Sequence, residues 1–257
     1  MDKFKIELPS SVDNAIKNLT DEPTKNIGKT LSDIWFLVFG GISNAADKRR
    51  MKYSHSLEEF HRELYESVSE IPDSKRHEPS IQVTAQALEN SKYCLDSSEL
   101  RSMFVNLISK SINSDFENTI HPCFAEILKQ MSVIDAKVLK TIPIKDVIPI
   151  VNYIAEHKEN KTYLSELTNV YISGVSEIDI FQSCSSISSL SRLGLLEIHE
   201  GEFITNDRVY DPYYETDFYR NFSRDVRCKS PFYEASVKKY LGKLTPLGQN
   251  FVEVCVL

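Results

Sequence analysis

"EIDIFQSCSSISSLSRLGLLEI", Glu177 to Ile198, changes its period part-way along, and that change decides the fold class of the second half. Up to Arg192, Ile180, Phe181, Cys184, Ile187 and Leu190 recur at three- and four-residue intervals, as the buried face of a helix does. Gly194 suits the left-handed residue that ends a helix. "LLEIHEGEFI", Leu195 to Ile204, then alternates around Glu200-Gly201 as a two-residue hairpin would. Farther on, "LTPLGQNFVEVCV" places Thr245 at an N-cap and Pro246 at the first helical position, ahead of an apolar helix.

Helix, hairpin and closing helix, in that order, resemble winged helix-turn-helix proteins over about residues 135–257. In DNA-binding members the helix before the wing enters the major groove. Its outward positions here would be Gln182, Ser183, Ser185, Ser186, Ser188, Ser189 and Arg192, a small polar face with one cation. The wing would be acidic, with Glu197, Glu200 and Glu202 beside His199. Residues 207–229 read as a loop rich in Tyr, Asp and Arg. That loop carries Arg208, Arg220, Arg224, Arg227 and Lys229, the only basic material nearby. Phosphate contacts dominate affinity for DNA, so the expected role is an interaction or structural module. Arg192 and these five basic residues remain the possible partner or nucleic-acid surface.

Ahead of this half the pattern is helical. "HSLEEFHRELYESVSEI" aligns Leu57, Phe60, Leu64, Val68 and Ile71, and Pro72 stops it. Residues 81–95 are a weaker helix. "SSELRSMFVNLISKSI" aligns Leu100, Met103, Phe104, Leu107, Ile108 and Ile112, with Ser97 or Ser98 as its cap. In "NTIHPCF", Pro122 fits the first position of a helix whose inner face is Phe124, Ile127, Leu128 and Met131. Ser132 and Asp135 form a capping box for the next helix. His121 and Cys123, two residues apart, are not expected to face each other as a catalytic pair, and metal donors at usable spacing are lacking. The reading is therefore mainly α: a helical domain over 1–131, then a small α+β winged-helix-like domain over 132–257.

Bulk chemistry narrows the function. The net charge of −7 divides as 16 basic against 20 acidic groups in residues 1–134, and 14 against 17 beyond, so neither half is basic. Five cysteines without a CxxC pair suit a reduced, cytoplasmic protein, and "MDKFKIELPSSVD" lacks the apolar core of a secretory signal. "LSDIWFLVFGGI", residues 31–42, is much shorter than the roughly 20 residues that span a bilayer. It reads as a buried helix, with membrane contact beside Lys48, Arg49, Arg50 and Lys52 as the lesser alternative. No cofactor or metal is expected. Arg50-x4-His55, within "RRMKYSH", resembles the Arg-x4-His motif of helical toxin ribonucleases. Such short spacings arise readily by chance, and Met51 stands where that family has a polar residue.

The sequence from "EPSIQVTAQALENSKYCLDSSELRSMFVNLISKSINS" through "IHPCFAEILKQMSVIDAKVLKTI" resembles the Abi-alpha family over about residues 20–145. The landmarks are Glu78-Pro79, the helix at Glu99 and Leu100, and His121-Pro122 ahead of a Phe-containing helix. The resemblance implies a bacterial role in abortive infection and phage resistance, and it brings no catalytic residues to place here. The expectation is a defence protein acting through a protein partner or a change of homo-oligomeric state. A winged-helix regulator is the alternative, and a ribonuclease using Arg50 and His55 the second.

Overall fold

In the computed structural model, residues 31, 33–35, 37–39 and 47–257 are described, residues 47–54 by backbone alone. The chain divides into two units, Met1–Gln130 with Glu253–Leu257, and Met131–Val252. The architecture is mainly α, with a small four-stranded antiparallel sheet in the second unit.

Helices of the first unit form where the three-four stripes lie. α1 (Asp47–Ser69) buries Phe60, Leu64 and Val68 and packs against α3 (Ser98–Lys110), whose Met103, Phe104, Leu107 and Ile108 are fully enclosed. The Ser97 hydroxyl accepts the Leu100 amide and caps α3. Between them in sequence, α2 (Ile81–Ser91) packs on α3 and on α4 (Phe124–Gln130). Arg101 is 8% exposed and would be costly alone. Its guanidinium donates to both Glu63 oxygens, meets Glu59 at 3.0 Å and donates to the Leu95 carbonyl.

Residues 31, 33–35 and 37–39 are helical, with Ile34, Trp35, Val38 and Phe39 buried and Leu37 82% exposed. Gly40, Gly41, Ile42 and the side chains of Lys48, Arg49, Arg50 and Lys52 lie outside the described residues. No helix among the described residues is long and apolar enough to cross a membrane. Trp35 stacks on Phe60 and meets the edge of His61 at 5.0 Å. Residues Glu253–Leu257 return to this unit. Asn106 donates to the Cys255 carbonyl at 3.0 Å and Lys110 to that of Glu253 at 2.8 Å.

The second unit opens with α5 (Val133–Leu139), and the expected Ser132–Asp135 capping box is present. β1 (Val147–His157) and β2 (Tyr163–Val170) follow, then α6 (Ile180–Arg192) and β3 (Leu196–His199). α7 (Asp211–Tyr214) and α8 (Asp217–Lys229) lead into β4 (Tyr233–Leu244), which α9 (Pro246–Phe251) closes, with Thr245 as N-cap. The strand order is β2-β1-β4-β3.

Three expectations change here. β3 makes no hairpin at Glu200-Gly201: it pairs with the far end of β4, Leu196 opposite Leu244, and the two residues form only a turn with Gly201 at φ 93°. β4 is long enough to pair with β1 along one edge, from Val147↔Lys243 to His157↔Tyr233, and still receive β3 on the other. Residues 207–229 are largely helical, because Phe218, Phe222 and Val226 form an i, i+4, i+8 stripe that the charged residues between them disguise. In α6 the buried arc is rotated: Ser183 and Ser186 are enclosed and Phe181 is 56% exposed. The Ser183 hydroxyl donates to the Tyr171 carbonyl at 2.6 Å, a close approach that only a small side chain permits.

Buried tyrosines fasten this unit. The Tyr153 hydroxyl donates to the Tyr213 carbonyl, that of Tyr210 to the Tyr240 carbonyl, and that of Tyr213 to the Pro149 carbonyl at 2.6 Å. The Tyr213 hydroxyl also accepts the Ile172 amide. Burial pushes the Tyr153 phenol up to about 12 and raises that of Tyr213, so both stay neutral donors.

Tyr213→Phe removes two part-buried hydrogen bonds, to the Pro149 carbonyl and from the Ile172 amide, and is expected to cost on the order of 1–3 kcal/mol, read as a lower urea midpoint of the second unit. A second expectation concerns pH. Burial holds His61 below its usual 6.5, so its neutral form is favoured in the folded state. Stability is then full above pH 6.5 and falls as the pH drops through that value, because the unfolded chain takes up the proton more readily. Trp35, the one tryptophan, adjoins His61, so its fluorescence during urea unfolding reports this loss, and His61→Leu should flatten it.

Candidate functional site

α8 crosses the sheet face formed by β1 and β4, and a cleft of about 360 Å³ opens where the start of β2 lies beside it. Its floor is apolar: Ala155 of β1, Leu164 of β2, Phe218, Phe222 and Val226 of α8, and Tyr233 of β4. Its rim is polar, with Glu166, Asn221, Asp225 and Lys229. Among the described residues, Glu166, Asp225 and Lys229 form no ion pair. An apolar floor with a few convergent polar groups is the usual form of a recognition site.

Local sequence explains the geometry. β2 is an edge strand whose register against β1 slips twice. Ile154 pairs with Ser165 and Tyr153 with Leu167, so Glu166 is the extra residue of a bulge. The second slip precedes the Val151↔Val170 pair, where Asn169 takes φ 58° and its amide donates to Asn152 Oδ1. Such bulges re-aim side chains, and here Leu164 and Glu166 both line the cleft.

The sequence-derived residues are scattered. Arg220, Arg224 and Arg227 stand on the solvent face of α8, away from the cleft. Arg220 meets Glu215 at 2.8 Å, Arg224 donates to Asn221, and Arg227 donates to the Ser223 carbonyl and hydroxyl. Arg192 and Arg208 are exposed on other elements, and of the basic set only Lys229 reaches the cleft. The expected reading face of α6 is partly taken up by α5: Ser189 donates to Asp135 at 3.1 Å, and Gln182 is held in a capping box with Asp179. His55 is exposed, 3.5 Å from Glu59, while the Arg50 side chain lies outside the described residues. Pro79 is buried and Glu78 exposed.

At the "NTIHPCF" corner the expected separation of His121 and Cys123 fails. His121 Nδ1 lies 2.9 Å from Cys123 Sγ and accepts the Cys123 amide at 3.2 Å. The cause is a tight turn in which the Phe124 amide donates to the His121 carbonyl, so α4 begins at Phe124, two residues after Pro122. Burial raises the Cys123 thiol, which weakens it as a nucleophile. Three or more metal-ligating side chains do not come together anywhere among the described residues.

Glu166, Asn221 and Asp225 were missed from sequence because the cleft draws on four elements and no short motif joins them. The Phe218, Phe222, Val226 stripe was the one signal available.

A model of the abortive infection alpha family matches residues 52–255, spanning both units. The chain belongs to that family. No protein of curated function matches it. Among solved structures, an uncharacterized protein from the hydrocarbon-degrading marine bacterium Alcanivorax borkumensis SK2 is similar at a TM-score of 0.35 and 11% identity, over 56% of this chain and 96% of that one. At that level the likeness carries no structural or functional argument.

The thiols give a direct check of the corner. Cys228 is exposed, Cys123 is half-buried, and burial pushes Cys184 up to about 12 and raises Cys255 as well. Iodoacetamide at neutral pH should therefore label Cys228 first and Cys123 more slowly, with Cys184 and Cys255 labelled only on unfolding, as peptide mass spectrometry would read.

Proposed function

We propose that this family member is a cytoplasmic phage-defence protein that acts by contact with another protein through the cleft beside β2, rather than by catalysis. The match over residues 52–255 carries the defence role. The mode of action is supported by the apolar cleft floor and by Leu164 and Phe232, which leave 66% and 60% of their surface in water at and beside it. Exposed apolar surface of this kind, rimmed by polar groups, marks interaction sites.

A winged helix-turn-helix regulator is the second reading, favoured by one observation: among the described residues, Arg224 and Arg227 are held only by neutral groups, which leaves their charge for an anion. Salt-dependent binding of duplex DNA, lost on Arg192 and Arg224 substitution, would favour it.

Cells expressing the wild type, Leu164→Lys, His55→Ala and His121→Ala are challenged with phage. Leu164→Lys should abolish protection at unchanged protein level and melting temperature, while His55→Ala should keep it. Loss of protection in His55→Ala, with RNA cleavage in the wild type, would replace this reading by the ribonuclease. His121→Ala should lose protection only as far as it loses stability.

A further inference from the structure

The position of β2 in the sheet restricts the chemistry of a protein partner. Strand order places β2 at the edge of the sheet, and among the described residues its outer backbone groups meet no partner strand. Natural edges are guarded by charge, proline, shortness or bulges, because a bare edge invites another strand. β2 is eight residues long and carries a bulge at Glu166, yet Tyr163 and Leu164 are 45% and 66% exposed at its start. This stretch is where an added strand would dock.

Resting on the protein-contact reading, we propose that the partner contributes an extended segment that adds as a strand to the outer edge of β2. It seats an apolar side chain in the cleft and sets a Lys or Arg against Glu166 and Asp225. Strand addition takes its affinity from main-chain hydrogen bonds and its specificity from pockets that receive alternate side chains. The cleft supplies such a pocket, since Leu164 and Glu166 belong both to β2 and to its lining. The charge follows from the rim, where two carboxylates and one ammonium, Lys229, have no ion pair among the described residues. An acidic segment would be repelled there, and a basic one would recover the hydration the carboxylates lose on burial. Phe232, stacked on His157 with ring planes 2° apart, extends the apolar surface next to Tyr233.

The test uses the full chain, immobilised and panned with a random-peptide display library. Enriched peptides should alternate apolar residues and carry Lys or Arg. Binding should weaken by about tenfold or more in Glu166→Lys, as expected when a charge pair is reversed, and should be lost in Leu164→Lys. Both variants must keep the wild-type circular dichroism and melting curve; Glu166→Gln serves if the reversal disturbs folding. N-methylation of alternate peptide residues should abolish binding in one register and spare it in the other. Peptides that are acidic or helical, that bind Leu164→Lys equally well, or that never enrich would overturn strand addition. A concentration-dependent dimer lost in Leu164→Lys, with no enrichment, would assign the edge to a second copy and overturn the proposal. The same variants separate the two claims under phage challenge. Protection lost in Leu164→Lys without any enriched peptide sinks strand addition and leaves the protein contact standing. Peptide binding with protection intact in both variants sinks the protein-contact account of defence.

Discussion

Three buried phenols hold the second unit together. Between β3 and β4 the chain runs for more than thirty residues with no sheet ladder to satisfy its backbone. Tyr210 and Tyr213 close that gap from within the segment, and Tyr153 closes it from β1. Each ring fills core volume, and each hydroxyl donates to a backbone carbonyl. Because Tyr153 bonds both the Tyr213 carbonyl and Thr216, the residue that caps α8, the start of that helix is fixed over β1. The position of α8 in turn sets one wall of the cleft. The cleft therefore depends on hydroxyl groups that never reach it.

How much of this was legible depended on the range of the signal. Leu100, Met103, Phe104, Leu107 and Ile108 announce α3 by spacing alone, and Ser132 with Asp135 announces α5, because both signals act within one or two turns. Thr245 and Pro246 mark the start of α9 for the same reason. The partner of β3 was not legible: nothing within Leu195–Ile204 tells a strand that will turn back from one that will wait for residues 241–244. α8 was hidden because Arg220, Arg224 and Arg227 mask an apolar stripe that a loop does not have. Glu166 became a site residue only through a register slip against β1, which exists in the pairing and not in either strand alone. His121 and Cys123 came together through a turn that a spacing rule for helices does not describe.

The two units solve the burial of polar groups differently. In the first, Arg101 is enclosed with Glu59, Glu63 and the Leu95 carbonyl, so a full charge is kept inside by full pairing. In the second, the enclosed polar groups are hydrogen-bonded phenols and serines together with the Asp135 carboxylate, which accepts the Ser132 amide and the Ser189 hydroxyl. Membership of the abortive infection alpha family spans both units, so the matched pattern covers the packed helices and the sheet that carries the edge.

The return of residues Glu253–Leu257 to the first unit makes the second an insertion in sequence, with two covalent connections to the first. During synthesis on the ribosome, Asn106 waits for a carbonyl 149 residues downstream. Val254 and Cys255, both fully enclosed, complete the first core only after the whole inserted unit has been made. A chain interrupted by premature termination thus leaves the helical unit open.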